Sequence, residues 1–201
     1  MQMGFKNYIE LLYEDRDLFN NLMKINTEFG IEWANTQISA GATAICYFDP
    51  MSSPTIIPRE LYLETGFKIA NDTISKINGP TATHLASGKS LPIIEDIAKT
   101  GTNILGVSAM EDLSTIKRAC KNKLTILGNL NGIEMCNWTP IQTETIIKEV
   151  ISQAGKGGGF ILSDNHGEIP FQVPEKVLTA IVEAREKWGK FPLDWIGDEE
   201  Q

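Results

Sequence analysis

The sequence lacks the features that mark several special classes of protein. Its three cysteines, Cys46, Cys120 and Cys136, are widely spaced and include no CxxC pair, which argues against a disulfide framework and a thiolate zinc site. No apolar run approaches the roughly 18–20 residues of a membrane span, and the N-terminus has no apolar stretch typical of a secretion signal. The net charge is −8, without a cluster of basic residues, so nucleic acid is not an expected partner. We expect a cytoplasmic protein that does not cross a membrane.

What the sequence does contain is a regular alternation of short apolar runs and amphipathic stretches. The 201 residues, 42% of them hydrophobic, fit a single domain over residues 1–201. Five runs of four to seven residues are apolar on both faces, as buried parallel strands are; they cover residues 42–48, 81–85, 103–107, 124–127 and 159–162. The pattern predicts an α/β fold. Five strands suit either part of an eight-stranded β/α barrel or an open doubly wound sheet.

The stretches around these runs carry signals of helices. Two helices are expected before the first strand, over residues 5–13 and 16–35. Thr139 with Gln142, and Ser108 with Glu111, have the spacing of a capping box, in which a hydroxyl begins a helix and Glu or Gln follows three residues later. Pro140 occupies a first helical position. Another amphipathic helix is expected after residue 174.

Only two histidines occur, and both follow predicted strands. His84 ends the second strand, and His166 comes directly after the fifth. In parallel β/α folds the loops beyond the carboxyl ends of the strands form the active-site face. We therefore expect the two histidines to share one rim, although each taken alone is more often a structural, hydrogen-bonded residue.

Carboxylates and amides are expected on the same rim. Asp49 ends the first strand, Asp164 lies beside His166, and Asn129 and Asn131 follow the fourth strand. A cluster of histidine and carboxylate can bind zinc or act as a proton-transfer pair, and the asparagines could contact a cofactor. Asp49 before a proline, and Asn131 before a glycine, are also ordinary turn residues. Cys46 is expected to be a small buried apolar residue of the first strand.

An ordered set of these motifs resembles one family. The matching stretches cover most of residues 5–192 in the family's order; they are Ala40-Gly-Ala, Phe48-Asp-Pro, Thr83-His84 with Gly88, Gly128-Asn-Leu, the segment from Gly158 to Pro170, and Trp188-Gly189 near the end. On these motifs the chain resembles the uroporphyrinogen decarboxylase (URO-D) superfamily, and it is closest to the branch of corrinoid-dependent methyltransferases.

The resemblance implies a TIM-type β/α barrel of which this chain holds only the C-terminal part. The five strands would be the last five of eight, preceded by N-terminal helices, with three strands missing. Two strand edges and part of the apolar interior would then be exposed. A complementary barrel fragment or self-association would cover them, or the chain is a degenerate fragment.

The resemblance also implies chemistry. In the methyltransferase branch a methyl group passes from a corrinoid protein to a thiol such as coenzyme M, and zinc held by a His-x-Cys pair and a later Cys activates the thiol. His84 matches that histidine, but Ala86 stands where the cysteine is expected, and the later cysteine falls at or near His166.

The ligand set that the resemblance leaves is His84, His166 and Asp164, with Asp49 and His166 as catalytic residues. A decarboxylase-like protein that binds a tetrapyrrole is one alternative, since His166 with Gly167 is similar to the His-Gly of that branch. A non-catalytic corrinoid-binding or partner-binding subunit is another.

Overall fold

A computed structural model describes residues 3–165 and 168–197 of the chain. The fold consists of one parallel β-sheet with helices packed against it. Helices α1 (Phe5–Glu14) and α2 (Arg16–Ser39) come first, as the sequence predicts. Five strands follow, and they pair in chain order, β1 to β5, each parallel to the next. Their bounds are Ile45–Phe48, Thr81–His84, Ile104–Gly106, Thr125–Leu130 and Phe160–Asp164. The predicted α/β class and the five strands are confirmed.

Helices connect the strands. Two of them, α3 (Arg59–Glu64) and α4 (Gly66–Ile74), lie between β1 and β2. The others are α5 (Ile94–Lys99), α6 (Leu113–Cys120), α7 (Pro140–Ala154) and α8 (Glu175–Trp188). Short 3₁₀ turns precede α3, α5 and α7. None of the helices in these described ranges is long and apolar enough to cross a membrane.

The two predicted capping boxes have different outcomes. Thr139 begins α7 with both reciprocal hydrogen bonds to Gln142, and Pro140 is its first residue. The box at Ser108 is wrong, because α6 begins four residues further on, at Leu113, with Asp112 as its N-cap. Glu111 does not turn back to Ser108; its carboxylate accepts hydrogen bonds from the loop that follows β2.

The core lies between the sheet and the helices. Leu105 of β3 and Ile126 of β4 are fully buried there, against Ile97, Ile116 and Ile147 from three of the helices. Strand register puts Tyr47, Thr83 and Phe160 on the same side of the sheet. We call the opposite side of the sheet the inner face; it carries the alternate residues, among them Cys46, Phe48, Ala82, His84, Leu127 and Ile161.

Part of the inner face is exposed. Phe48 of β1 is 60% exposed and Ile161 of β5 is 42% exposed. Cys46 is exposed as well, so its predicted burial is wrong. The reason is its place on an edge strand: in the part of the chain that the structure describes, no strand pairs with β1 on its other side. A cysteine that a closed barrel would bury is left open to solvent.

Candidate functional site

His84 is the best-defined polar residue of the inner face. It is the last residue of β2 and is buried, beside Phe48 of β1 in the strand register. The two rings stack with their centroids 5.7 Å apart. On the other side, a Cβ at Gly106 of β3 would come within 2.4 Å of the imidazole Cδ2, so the ring fits only because that neighbour is glycine.

A backbone hydrogen bond fixes the state of the His84 ring. The amide of Ala86 donates to His84 Nδ1 at 3.0 Å, and Ala86 has a left-handed φ of 53° that few residues other than glycine adopt. Because Nδ1 accepts this bond, a neutral ring carries its proton on Nε2. The ring can therefore donate a hydrogen bond from Nε2 or exchange a proton there.

The loops beyond the carboxyl ends of β1, β2 and β3 are joined by hydrogen bonds. Ser53 Oγ donates to the carbonyl of Lys89, and Ser108 Oγ donates to that of Ser87, both at 2.9 Å. The Glu111 carboxylate accepts from the amides of Ser90 and Leu91 and from the Ser90 hydroxyl. These bonds make the rim around His84 a cross-linked set of loops.

The two predicted cofactor-binding asparagines belong to this rim. Asn129 lies inside β4 and does not follow it as predicted, because the strand extends to Leu130. Its Nδ2 donates to the carbonyls of Ser108 and Glu111, each at 3.0 Å. Asn131 Oδ1 accepts from the amides of Ile133 and Glu134. Both side chains thus hold loops in place; contact with a cofactor stays a prediction.

Asp49 is next to His84 along the chain path but not beside its ring. Its amide donates to the His84 carbonyl at 2.9 Å, while its side chain lies on the helix side of the sheet, in a small cavity with Tyr47 and Tyr62. Ser52 Oγ donates to Asp49 Oδ2 at 2.5 Å. Burial raises the pKa of this carboxyl, and the hydrogen bonds from Ser52 and Met51 oppose the increase.

Asp164 is likewise separated from His84. It is the last residue of β5, paired with Leu130 of β4, and it shares the strand side of Phe160 and Leu162, which pack against the core on the helix side. Three strand spacings of about 4.8 Å each also separate β5 from β2 along the sheet. His166 lies outside the described residues, so its predicted place on the rim is not tested.

These positions do not fit a zinc site made from the described residues alone. No group of three histidine, cysteine, aspartate or glutamate side chains within residues 3–165 and 168–197 could hold a metal ion. His84 Nδ1 is engaged by the Ala86 amide, and binding through Nε2 would put a proton on Nδ1 and break that bond. Ala86 itself offers no ligand atom. Zinc bound by a set that includes His166 stays a prediction.

Sequence reasoning missed the neighbours that define the His84 site. Phe48 and Gly106 enclose the ring only through strand register, which the sequence does not state. The sequence also did not predict the left-handed conformation of Ala86, since alanine is not a residue that indicates such a turn. The one available signal was Gly106 itself, because a glycine inside a strand is typical of a place where another group comes close to the backbone.

One family model matches most of the chain. The family model described as "Uroporphyrinogen decarboxylase (URO-D)" matches residues 1–188, so the chain belongs to the URO-D family. Uroporphyrinogen decarboxylase of Coxiella burnetii is 27% identical over 181 residues, covering 87% of this chain and 48% of the relative. Methylcobamide:CoM methyltransferase MtaA of Methanosarcina barkeri is 26% identical over 187 residues, covering 92% and 54%.

A solved structure confirms the architecture. A methyltransferase from Methanosarcina mazei matches with a TM-score of 0.81 at 23% identity, covering 92% of this chain and 54% of that one. At that identity the match shows the fold alone. The chain spans about half the length of the curated relatives it matches, and its place in the C-terminal part of the barrel stays a prediction.

Proposed function

We propose that this chain is the C-terminal part of a cytoplasmic methyltransferase-like barrel, which moves a methyl group between a corrinoid protein and a thiol such as coenzyme M. The methylcobamide:CoM methyltransferase of M. barkeri supports this choice, because the match extends over 92% of this chain. The domain would be the single unit of residues 1–201.

The observation that carries the proposal is the setting of His84. It is placed at the carboxyl end of β2, on the inner face, as the histidine of the methyltransferase motif is expected to be, and its Nδ1 is held by the Ala86 amide. In the proposed reaction the thiolate sulfur attacks the methyl carbon. A sulfur–carbon bond forms, the cobalt–carbon bond breaks with its electron pair left on cobalt, and the thiol proton passes to solvent or a base. His84 Nε2–H donates a hydrogen bond to the thiolate.

Zinc enters only as a prediction from the resemblance. When bound, zinc would lower the pKa of the thiol. The described residues do not supply a ligand set, so a zinc ion would depend on His166. Metal analysis of the purified chain, and of its His166→Ala variant, tests this directly: about one zinc per chain, lost in the variant, supports the prediction, and metal-free protein contradicts it.

The methyl-transfer assay uses methylcobalamin as the donor and coenzyme M as the acceptor, followed by the absorbance change on loss of the methyl group. The chain is tested alone and together with the N-terminal part of the M. barkeri relative. We expect transfer, and a decrease of roughly 10–100-fold in His84→Ala, because a hydrogen bond to a charged group contributes about 1.5–3 kcal/mol to holding the thiol in its thiolate form. Thr145→Ala, on the exposed surface of α7, is the control. Absence of transfer in both preparations would overturn the proposal.

A decarboxylase-like role is the second candidate, because the C. burnetii relative is as similar as the methyltransferase. It requires binding of a tetrapyrrole. A titration of the chain with uroporphyrin, followed by absorbance, distinguishes the two: saturable binding without methyl transfer would favour this candidate.

A further inference from the structure

We propose that the small cavity on the helix side of the sheet, beside the backbone of His84, is a binding site for one buried water molecule, held by the Thr83 hydroxyl and the Asp49 carboxyl. The cavity lies between the ends of β1 and β2 and the helices α3, α4 and α5. We call it the Asp49 cavity. Binding of a water there is independent of the proposed methyl transfer.

The buried hydroxyl of Thr83 indicates a ligand. Thr83 is only 5% exposed, lies on the same side of the sheet as Tyr47, and lines the cavity. Its amide donates to Thr102 Oγ1 at 3.2 Å, but its own Oγ1 has no hydrogen-bond partner among residues 3–165 and 168–197. A buried hydroxyl without a partner is destabilising, and most buried side-chain polar atoms in native proteins are paired with the protein or with an ordered water.

The carboxyl of Asp49 supplies a second polar group to the same cavity. Its oxygens already accept hydrogen bonds from the hydroxyl and the amide of Ser52 and from the amide of Met51. A carboxylate offers about four acceptor positions, and a protonated carboxyl has one donor as well, so either form can make one more bond to a water. Burial raises the pKa of this carboxyl, and the neutral form is compatible with a neutral ligand.

The size and the lining of the Asp49 cavity fit one water. The centre of a water molecule can occupy about 10 Å³ of the cavity, which is room for a single molecule. Tyr47 and Tyr62 line it too, and a tyrosine hydroxyl can donate or accept a hydrogen bond. Apolar side chains of Ala70, Leu85 and Ile97 form another part of the lining. A buried water makes two to four hydrogen bonds, and the cavity provides that many polar groups.

An empty cavity and a divalent cation are the competing interpretations. Cavities that stay dry are lined by apolar groups, whereas a carboxyl and several hydroxyls line this one. A divalent cation requires six or more oxygen ligands and enough negative charge to compensate its burial. Among the described residues that line the cavity, Asp49 is the only acidic one. One neutral water is the ligand that these groups fit.

The water would join the two strands that carry the candidate site. The Asp49 amide donates to the His84 carbonyl at 2.9 Å, and Thr83 directly precedes His84 in β2. A water between the side chains of Asp49 and Thr83 therefore bridges the ends of β1 and β2 on the helix side, while Phe48 stacks with the His84 ring on the inner face. The strand ends that position the imidazole are then held on both sides of the sheet.

The first test is Thr83→Val, which keeps the shape of the side chain and removes the hydroxyl. If a water binds the hydroxyl, the variant loses a hydrogen bond, and we expect the melting temperature to fall by roughly 2–4 °C. If the hydroxyl has no partner, its removal relieves an unpaired buried group and the melting temperature rises. A rise, or no change, would overturn the proposal.

The matched control is Thr143→Val, at a buried threonine of α7. Thr143 Oγ1 donates to the Thr139 carbonyl at 2.9 Å, so this variant loses a hydrogen bond made within the protein. We expect its melting temperature to fall by a similar amount. The two variants should differ in the number of bound waters.

The second test counts buried waters by the relaxation dispersion of oxygen-17 water in solutions of the protein. We expect the amplitude for Thr83→Val to be lower than that of the wild type by the contribution of one water, and that of Thr143→Val to be unchanged. Equal amplitudes for Thr83→Val and the wild type would overturn the proposal. Should Thr83→Val not fold, a high-resolution crystal structure of the wild type decides: we expect a water within about 3.2 Å of Thr83 Oγ1, and an empty cavity contradicts it.

A third measurement distinguishes the water from a sodium ion. Urea denaturation of the wild type is followed in sodium chloride and in choline chloride at equal concentration. A water gives the same midpoint in both salts. A higher midpoint in sodium chloride would show that the folded state binds the cation and would overturn the proposal.

Discussion

The carboxyl of Asp49 makes the stability of this fold depend on pH. Its carboxyl lies on the helix side of β1, among Tyr8, Tyr47 and Tyr62, whose pKa values are themselves raised chiefly by burial and further by the nearby carboxylate. Since burial raises the pKa of Asp49, ionisation is harder in the folded chain than in the unfolded one. The folded state therefore loses stability as the pH rises from the ordinary pKa of an aspartate to the raised one.

Replacing the Asp49 carboxyl by an amide should remove this loss of stability at higher pH. We expect the free energy of unfolding of Asp49→Asn, relative to that of the wild type, to be higher at pH 7 than at pH 3, where the aspartate is largely protonated in both states. Urea denaturation at the two pH values measures the difference. Asp112→Asn is a control of opposite sign, because hydrogen bonds from Thr115 lower the pKa of Asp112. A pH-independent effect of Asp49→Asn would contradict the expectation.

At the scale of elements, α7 is held at its start by a complete capping box. Thr139 accepts a hydrogen bond from the Gln142 amide, and Gln142 Oε1 accepts one from the amide of Thr139. Thr139→Ala leaves a helix N-terminal amide without its partner, and we expect it to lower the free energy of unfolding by about 1 kcal/mol. Thr145→Ala, in the exposed middle of the same helix, should change it by no more than a few tenths of that. Equal effects in chemical denaturation would rule out a capping contribution.

The loop between β2 and α5 is held in place by hydrogen bonds to the carboxylate of Glu111. This buried carboxylate is the acceptor for the Ser90 and Leu91 amides and for the Ser90 hydroxyl. Glu111→Ala would leave the amide and the hydroxyl of the buried Ser90 unpaired, at a cost of about 3 kcal/mol in unfolding free energy, since each unsatisfied group costs roughly 1–3 kcal/mol. Thermal or urea denaturation against Glu134→Ala, an exposed glutamate, measures it. A loss below about 1 kcal/mol would mean that water replaces the carboxylate.

The elements that could be predicted are those specified by their own residues. All five strands were evident because a buried parallel strand is apolar on both faces, and the cap at Thr139 was evident because its partner is three residues away. The box at Ser108 failed because the partners of Glu111 are Ser90 and Leu91, about twenty residues earlier, and no local spacing reveals them.

The candidate site could also be predicted only in part. The sequence places His84 at the end of a strand, and the structure confirms that position. It could not show that Asp49 and Asp164 lie on the other side of the sheet, because side-chain direction depends on where each strand begins and on its register. The exposure of Cys46 was missed for a larger reason: burial in one strand depends on whether another strand is present beside it.

For the whole molecule, the open side of the sheet predicts self-association at high concentration. Exposed apolar patches next to an unpaired strand edge promote non-specific contacts. Phe29→Glu, on the outer face of α2, should reduce light scattering in concentrated solutions with little change in the melting temperature. Phe171→Glu, at a fully exposed phenylalanine outside α2 and β1, should leave the scattering unchanged. Equal reductions of the scattering in both variants would mean that the added charge alone, at either position, lowers self-association.

The strand order bears on how the chain folds during synthesis. Because every strand pairs with its predecessor along the chain, each strand after the first finds its neighbour already synthesised when it leaves the ribosome. The first strand is the exception, since it must wait for β2 to emerge.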